Sequence, residues 1–168
     1  GAGKTTLVNA IMAAVRQQEP SSHVFSGRIA VERNLRLGHY EQEIDAKYLP
    51  MTLYNAIEQI CLEKDVMTND QHTKQLMSQY LFEPQSDGPT PIERLSGGQK
   101  ARFQLIRMLV DSPLLLILDE PTNHLDLPSI EELEDSLAEY RGAVIYISHD
   151  SIFADKVGGD TIRVAASA

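Results

Sequence analysis

The stretch Leu114-Leu115-Leu116-Ile117-Leu118-Asp119-Glu120 decides the fold. Five consecutive apolar residues follow Pro113 and stop at two carboxylates. A run so short and so wholly apolar has no polar side to offer water, the pattern of a strand covered on both faces in a parallel sheet. Ala143 to Ser148 reads as a second buried strand and Thr161 to Val164 as a third. Between the first run and Ala143, Pro128 to Tyr140 reads as a helix with proline in its first turn. On the other side, Leu7, Val8, Ile11, Met12 and Val15 give a helical spacing over Thr5 to Gln18, which Glu19-Pro20-Ser21-Ser22 ends. Arg28 to Val31 and Leu35 to Tyr40 read as two short strands around a turn at Arg33-Asn34. Thr52 to Leu62, Asn69 to Leu81 and Gly98 to Val110 carry helical spacings, with a turn-rich stretch of three prolines at Glu83 to Pro91. Alternating strands and helices predict an α/β fold with a parallel sheet. Met51 to Arg94 holds two helices and no strand, so an all-helical insertion, about 51–111 with its following helix, interrupts that sheet.

Composition narrows the class. A chain of 168 residues fits one domain, and 42% hydrophobic residues suffice for a core. Leu114–Leu118 and every other apolar run fall far below the roughly 18 residues of a membrane helix. Gly1 to Thr6 lacks the apolar core of a signal peptide, and the single cysteine, Cys61, forms no internal disulfide. A cytoplasmic, soluble domain is expected. The formal charge of −9 argues against bulk electrostatic capture of a phosphate backbone, and the densest cluster is acidic: Glu131, Glu132, Glu134, Asp135 and Glu139. That cluster reads as the solvated face of a helix.

Three short motifs carry chemistry. Gly1-Ala2-Gly3-Lys4-Thr5-Thr6 precedes a helix and matches the second half of the P-loop pattern G-x-x-x-x-G-K-S/T. Glycines let backbone N–H groups turn towards phosphates, and the helix N-terminus adds its positive dipole. Lys4 supplies a point charge and Thr5 a hydroxyl for Mg²⁺. Taken alone, the same residues also suit a glycine-rich helix cap beside a solvated lysine. Asp119 and Glu120 follow a buried strand, where α/β proteins place their ligands. An aspartate there suits Mg²⁺, and the next glutamate is placed to polarise a water. Between these sites, Leu95-Ser96-Gly97-Gly98-Gln99 stands directly before a helix. Ser96 caps that helix, and the glycine amides beside it make an anion site.

In that order, GAGKTT, LSGGQ and LLLILDE resemble the ATP-binding-cassette (ABC) ATPases over nearly the whole chain. The resemblance implies a P-loop NTPase cassette that binds ATP with Mg²⁺ and pairs with a second cassette, so that Ser96, Gly97, Gly98 and Gln99 meet the γ-phosphate held by the partner. It further implies that Gln42 is the Q-loop glutamine reaching Mg²⁺ and the attacking water. Asp126 corresponds to the D-loop, which passes between cassettes, and His149 to the switch histidine at the γ-phosphate. Glu120 corresponds to the base. His23, His39, His72 and His124 are assigned no catalytic role.

Asn123-His124-Leu125-Asp126, with Leu95 to Arg102 reading LSGGQKAR and Ser148-His149-Asp150 followed by Phe153 and Val157, is similar to the ABC-F branch. That branch carries two cassettes in tandem without a membrane domain and acts at the ribosomal E site beside tRNA and rRNA. Some members protect ribosomes from antibiotics. The alternative is the ATP-hydrolysing subunit of a membrane transporter, with the helical insertion gripping a permease. A non-catalytic scaffold is disfavoured by Glu120 and His149. The chain departs from the pattern in three places. The first half of the P-loop and the strand before it are missing, so a fragment of a longer chain is expected, by itself weak in ATP binding and inactive. Ser151 stands where the family often has arginine. No charged inter-cassette linker is present, and a C-terminal cassette is the expected origin.

Overall fold

A computed structural model describes residues 3–16, 29–32, 35–41, 43–123, 125–162 and 164. Within them the chain runs α1 (Lys4–Val15), β1 (Leu37–Tyr40), α2 (Leu53–Glu63), α3 (Asp70–Gln79), a single 3-10 turn (Ile92–Arg94), α4 (Gly97–Leu109), β2 (Leu115–Asp119), α5 (Leu127–Glu139), β3 (Ala143–Ile147) and α6 (Ser151–Val157). The three strands pair in parallel in the order β1-β2-β3.

Strand β2 is the centre. Its residues alternate between two apolar layers, as the two-residue period of a strand requires. Leu115 and Ile117 face Val8, Ile11, Met12 and Val15 of α1. Leu116 and Leu118 face the larger layer, which includes Phe103, Ile106 and Met108 of α4 and Leu133 and Leu137 of α5. Leu116, Ile117 and Leu118 are fully buried. Each such side chain contributes about 1.5–3 kcal/mol relative to exposure.

Register fixes which residues emerge together. Tyr40 pairs with Leu118 on one side of β2, and Ile147 pairs with Asp119 on the other. All three strands therefore end at one edge of the sheet. Between β1 and β2, helices α2 and α3 pack together, while α4 packs on α2, on β1 and on α5. Helix α4 thus belongs to the sheet's own cover as well as to the helical segment before it.

Three expectations need correction. Residues 29–32 form no strand, and Arg28, Arg33 and Asn34 lie outside the described residues, as does all of Glu19 to Ser22. Ile29 is 41% exposed, so this segment has little apolar surface to anchor a strand, and β1 takes β2 as its parallel neighbour instead. Residues 161, 162 and 164 likewise form no strand. Gly158 and Gly159, at φ +70° and +105°, turn the chain after α6, and Ile162 is 84% exposed. Strand β3 is only half-buried, because among the described residues its outer edge has no strand beside it. Helix α6 is an addition. Asp150 caps it, accepting from the N–H groups of Ile152 and Phe153, and Phe153 plugs against the Tyr146 ring at 5.7 Å, edge to face.

Gly38 is where β1 meets the cover most tightly. A Cβ there would stand 2.5 Å from Leu116 Cδ2 and 2.8 Å from the Met108 carbonyl oxygen. Gly38→Ala is expected to destabilise the fold by about 1–3 kcal/mol through overpacking, read as a lowered midpoint in urea with the slope unchanged.

Candidate nucleotide site

The ends of the strands and the start of α1 enclose a cleft of about 510 Å³, lined by Thr5, Asn9, Met12, His39, Tyr40, Glu41, Glu43, Asp119, Glu120 and Asn123. Each side chain arrives there for a local reason. Gly3 stands at φ +81° as the residue before α1, a left-handed conformation that glycine adopts at little cost. Its carbonyl accepts from the Leu7 N–H at 2.9 Å, and the chain then enters the helix with Lys4, Thr5 and Thr6 in the first turn. Among the described residues no side chain caps this end, so the first amides of α1 are left without side-chain acceptors, and Thr5 of this first turn lines the cleft with Asp119 and Glu120. Gly1 and Ala2 lie outside the described residues.

Asp119 is the last residue of β2. Glu120 follows at φ +49°, a region that side-chain-bearing residues seldom occupy. The proline that follows it, Pro121, ordinarily drives its predecessor towards extended backbone. The conformation is held by three contacts. The Glu120 N–H donates to the Ile147 carbonyl at 2.8 Å, and the Glu120 carbonyl accepts from the Asn123 N–H at 3.1 Å. The carboxylate accepts from the His149 N–H at 3.1 Å, with the imidazole Nε2 3.3 Å away. Asp65, Leu81 and Ser112 share a positive φ, but each follows a helix; Glu120 follows a strand. Such strain persists where surrounding structure over-determines it, and it clusters at sites of function. His149 itself is 76% exposed.

The signature residues form a second cluster, separate from the cleft. Ser96 Oγ accepts from the Gln99 N–H at 3.2 Å, and Gln99 Oε1 accepts from the Ser96 N–H at 3.0 Å, a reciprocal cap on α4. The Gln99 side-chain amide also donates to Asp87 at 3.2 Å. A Cβ on Gly98 would stand 2.7 Å from an Asp126 carboxylate oxygen, whereas one on Gly97 would meet nothing within 4 Å. Asp126 caps α5, accepting from the N–H and the hydroxyl of Ser129. The Ser129 hydroxyl holds the Asp126 carboxyl below its ordinary range. The structure thus brings Thr5, Asp119 and Glu120 together, adds His149 through Glu120, and joins Gly98 to Asp126. It does not bring Ser96–Gln99 or Asp126 into the cleft. Gln42 and His124 lie outside the described residues, and Glu41 and Glu43 line the cleft on either side of position 42.

Against this geometry, a family model described as ABC transporter matches residues 1–123. The chain belongs to the ABC transporter family. As an ABC ATPase domain it is a nucleotide-binding unit. The cassette is 32% identical over 158 residues to ABC transporter F family member 4 of Arabidopsis thaliana, covering 94% of this chain and 21% of that protein. It is 33% identical over 165 residues to ribosome protection protein VmlR of Bacillus subtilis (strain 168), covering 98% and 28%. Its relatives therefore include ABC-F members. Among solved structures it resembles an inward-facing metal-chelate type ABC transporter, with TM-score 0.66 and 18% identity over 92% of this chain and 61% of that one; this likeness bears on the fold alone. The cassette spans roughly a quarter of the length of the curated relatives it matches. Among the described residues no helix is long and apolar enough to cross a membrane.

Seven of the ten lining residues, Asn9, Met12, His39, Tyr40, Glu41, Glu43 and Asn123, were not named as site residues from the sequence, and His39 is the one among them that carries a titratable imidazole into the site. His39 sits on β1 with its side chain 20% exposed, and its Nδ1 is buried without a hydrogen bond, 3.8 Å from a Glu41 oxygen. The strand period was the available signal: Gly38 and Tyr40 face the cover, so His39 faces the other way, towards the cleft. Burial holds the His39 imidazole below its ordinary pKa; Arg16 and Arg107 push the same way and Glu41 opposes. The unfolded chain therefore binds this proton more readily, so the contribution to stability is present above about pH 6.5 and is lost on acidification. His39→Gln is expected to flatten the acid limb of stability below pH 6.5, measured by urea unfolding at stepped pH. At the strained turn, Glu120→Gly is expected to unfold at higher denaturant than Glu120→Ala, a difference of about 1 kcal/mol.

Proposed function

We propose that this cassette binds and hydrolyses ATP with Mg²⁺, and that it does so as part of an ABC-F type factor acting on the ribosome. The observation that carries the chemistry is the convergence of Thr5, Asp119 and Glu120 on one cleft at the carboxyl ends of parallel strands, with His149 on the Glu120 carboxylate. One hydroxyl and one carboxylate are the donor set that Mg²⁺ takes when phosphates and water complete its shell. Bound there, Mg²⁺ would neutralise charge developing on the phosphates. We read residues 1–168 as one cassette, with a helical subdomain over about 51–111.

The chain's own residues divide the work. Gly1, Ala2, Gly3, Lys4, Thr5 and Thr6 cradle the phosphates through backbone N–H groups and the Lys4 ammonium. Thr5 and Asp119 would hold the metal, and the family pattern assigns Gln42 to it as well. Glu120 orients and polarises the attacking water, and His149 positions Glu120 while remaining exposed enough to reach the nucleotide. Ser96, Gly97, Gly98 and Gln99, with Asp126 behind them, face a second cassette, since ABC cassettes work as paired domains. Their absence from this cleft agrees with service to the partner's nucleotide.

The ribosomal reading is supported by the likeness to ABC-F proteins and to a protein named for ribosome protection. On this reading the protein is cytoplasmic, with rRNA and tRNA as neighbours. Transporter structures share the fold as well, so a permease partner is the competing outcome. In the intact protein, Glu120→Gln is expected to lower kcat by about 10²-fold or more while ATP binding persists. With ATP, that variant is expected to co-sediment with ribosomes through a sucrose gradient. Recovery with membranes instead would transfer the cassette to a transporter, and wild-type turnover would remove Glu120 from its role.

A further inference from the structure

Gln104 is a polar residue in the interior of α4, and it is 4% exposed. Its side-chain amide donates one hydrogen to the Glu41 carbonyl at 2.6 Å and one to the Glu43 carbonyl at 3.0 Å. Its own oxygen accepts from Arg107 Nη1 at 3.3 Å, and Arg107 Nη2 lies 2.8 Å from a Glu41 carboxylate oxygen. The contacts close a ring in which the amide uses both donors and its acceptor. The partners are some sixty positions away in sequence and come from a loop rather than from a neighbouring strand. An apolar residue in place of Gln104 would leave two loop carbonyls without these donors in a partly buried setting, each at a cost comparable to a lost hydrogen bond.

Position is what makes the ring consequential. Glu41 and Glu43 form one wall of the cleft that holds Thr5, Asp119 and Glu120, and they flank position 42. Gln104 stands two turns along the helix that begins at Gly97, about 10 Å from the signature turn. We propose that Gln104 is a positioning residue of the nucleotide cleft: its buried amide fixes the backbone at Glu41 and Glu43 and ties that wall to the helix that starts at the signature. Arg107 braces the amide from the next turn and locks Glu41 by its side chain. The hydrogen bonds and ion pair of this ring run among Gln104, Arg107, Glu41 and Glu43, so removing it is expected to loosen the metal-facing wall more than the phosphate cradle.

The inference rests on reading the cleft as the ATP site, and the test separates the two. In the intact protein, Gln104→Met keeps the side-chain length and removes both donors, while Gln104→Glu keeps an acceptor for Arg107 and removes the donors. Both are expected to lower kcat about tenfold and to raise the half-saturating Mg²⁺ concentration severalfold, with KM for ATP within about twofold of wild type. Circular dichroism at the assay temperature establishes that the variants are folded. A purely structural role would instead lower the thermal midpoint without moving the Mg²⁺ dependence. Wild-type kcat and Mg²⁺ dependence in Gln104→Met would overturn the proposal, as would loss of folding in both variants. Lys4→Ala supplies the control. If it abolishes ATP binding while Gln104→Met behaves as wild type, only the positioning role falls; if it binds ATP as wild type, the cleft reading falls and the proposal with it.

Discussion

Strand β2, wedged between two apolar layers and paired in parallel on both sides, sets the height at which every polar group of the cleft emerges. Leu115 and Ile117 are gripped by α1, Leu116 and Leu118 by α4 and α5. Because the side-chain period is two, a slip of one residue would exchange the layers and put Asp119 on the wrong face. The pairings Tyr40–Leu118 and Ile147–Asp119 then bring the ends of β1 and β3 level with the two carboxylates. Apolar packing, which has no direction of its own, is thus converted into the placement of charge.

The price of that placement is local. Glu120 leaves the strand in a left-handed conformation ahead of a proline, and hydrogen bonds to Ile147 and Asn123 together with the His149 contact hold it there. The strain sits at the one point where the backbone must leave a buried strand and immediately present a carboxylate to an open cleft. Helix ends elsewhere in the chain carry ordinary caps: Thr52, Asn69, Ser96, Asp126 and Asp150 each accept from a backbone N–H. Helix α1 is the exception, entered through Gly3 with no side-chain cap, and it is the helix whose N-terminus the family pattern assigns to phosphate.

Those features that depend on a single element were readable in the sequence. The apolar run Leu114–Leu118, the helical spacings of α1 to α5 and the motifs at Lys4, Ser96 and Asp119 each announce themselves within a dozen residues. Features that depend on neighbours were not. Ala143 to Ser148 looks as apolar as the central strand, but its exposure depends on which strand lies beside it. Thr161 to Val164 has strand-like residues, but residues 161, 162 and 164 form no strand and Ile162 is 84% exposed. Helix α6 is seven residues long, too short to show a period, and only the Asp150 cap marks its start. His39 and Gln104 are invisible for the same reason: one is placed by the face of a strand, the other by a loop some sixty positions away.

The signature turn is held by the same residues to which the proposed function assigns recognition. Both ends of the Gln99 side chain are committed, to the Ser96 amide and to Asp87, so that glutamine is spent on closing the cap. Ser96 accepts from the Gln99 N–H and retains its hydroxyl proton. Helix geometry leaves the N–H groups of Gly97 and Gly98 without intrahelical acceptors. Asp126, pressed against Gly98, keeps its negative charge, which the Ser129 N–H and hydroxyl stabilise, so its part in the turn is to fix shape and not to attract an anion. On the proposed function, an anion brought by a second cassette would be met by two backbone amides, a hydroxyl and the positive end of α4, against the opposing charge of Asp126, while Gln99 and Asp126 fix the shape of the turn. Glycine at position 98 is what lets Asp126 approach the turn so closely, since a Cβ there would stand 2.7 Å from its carboxylate.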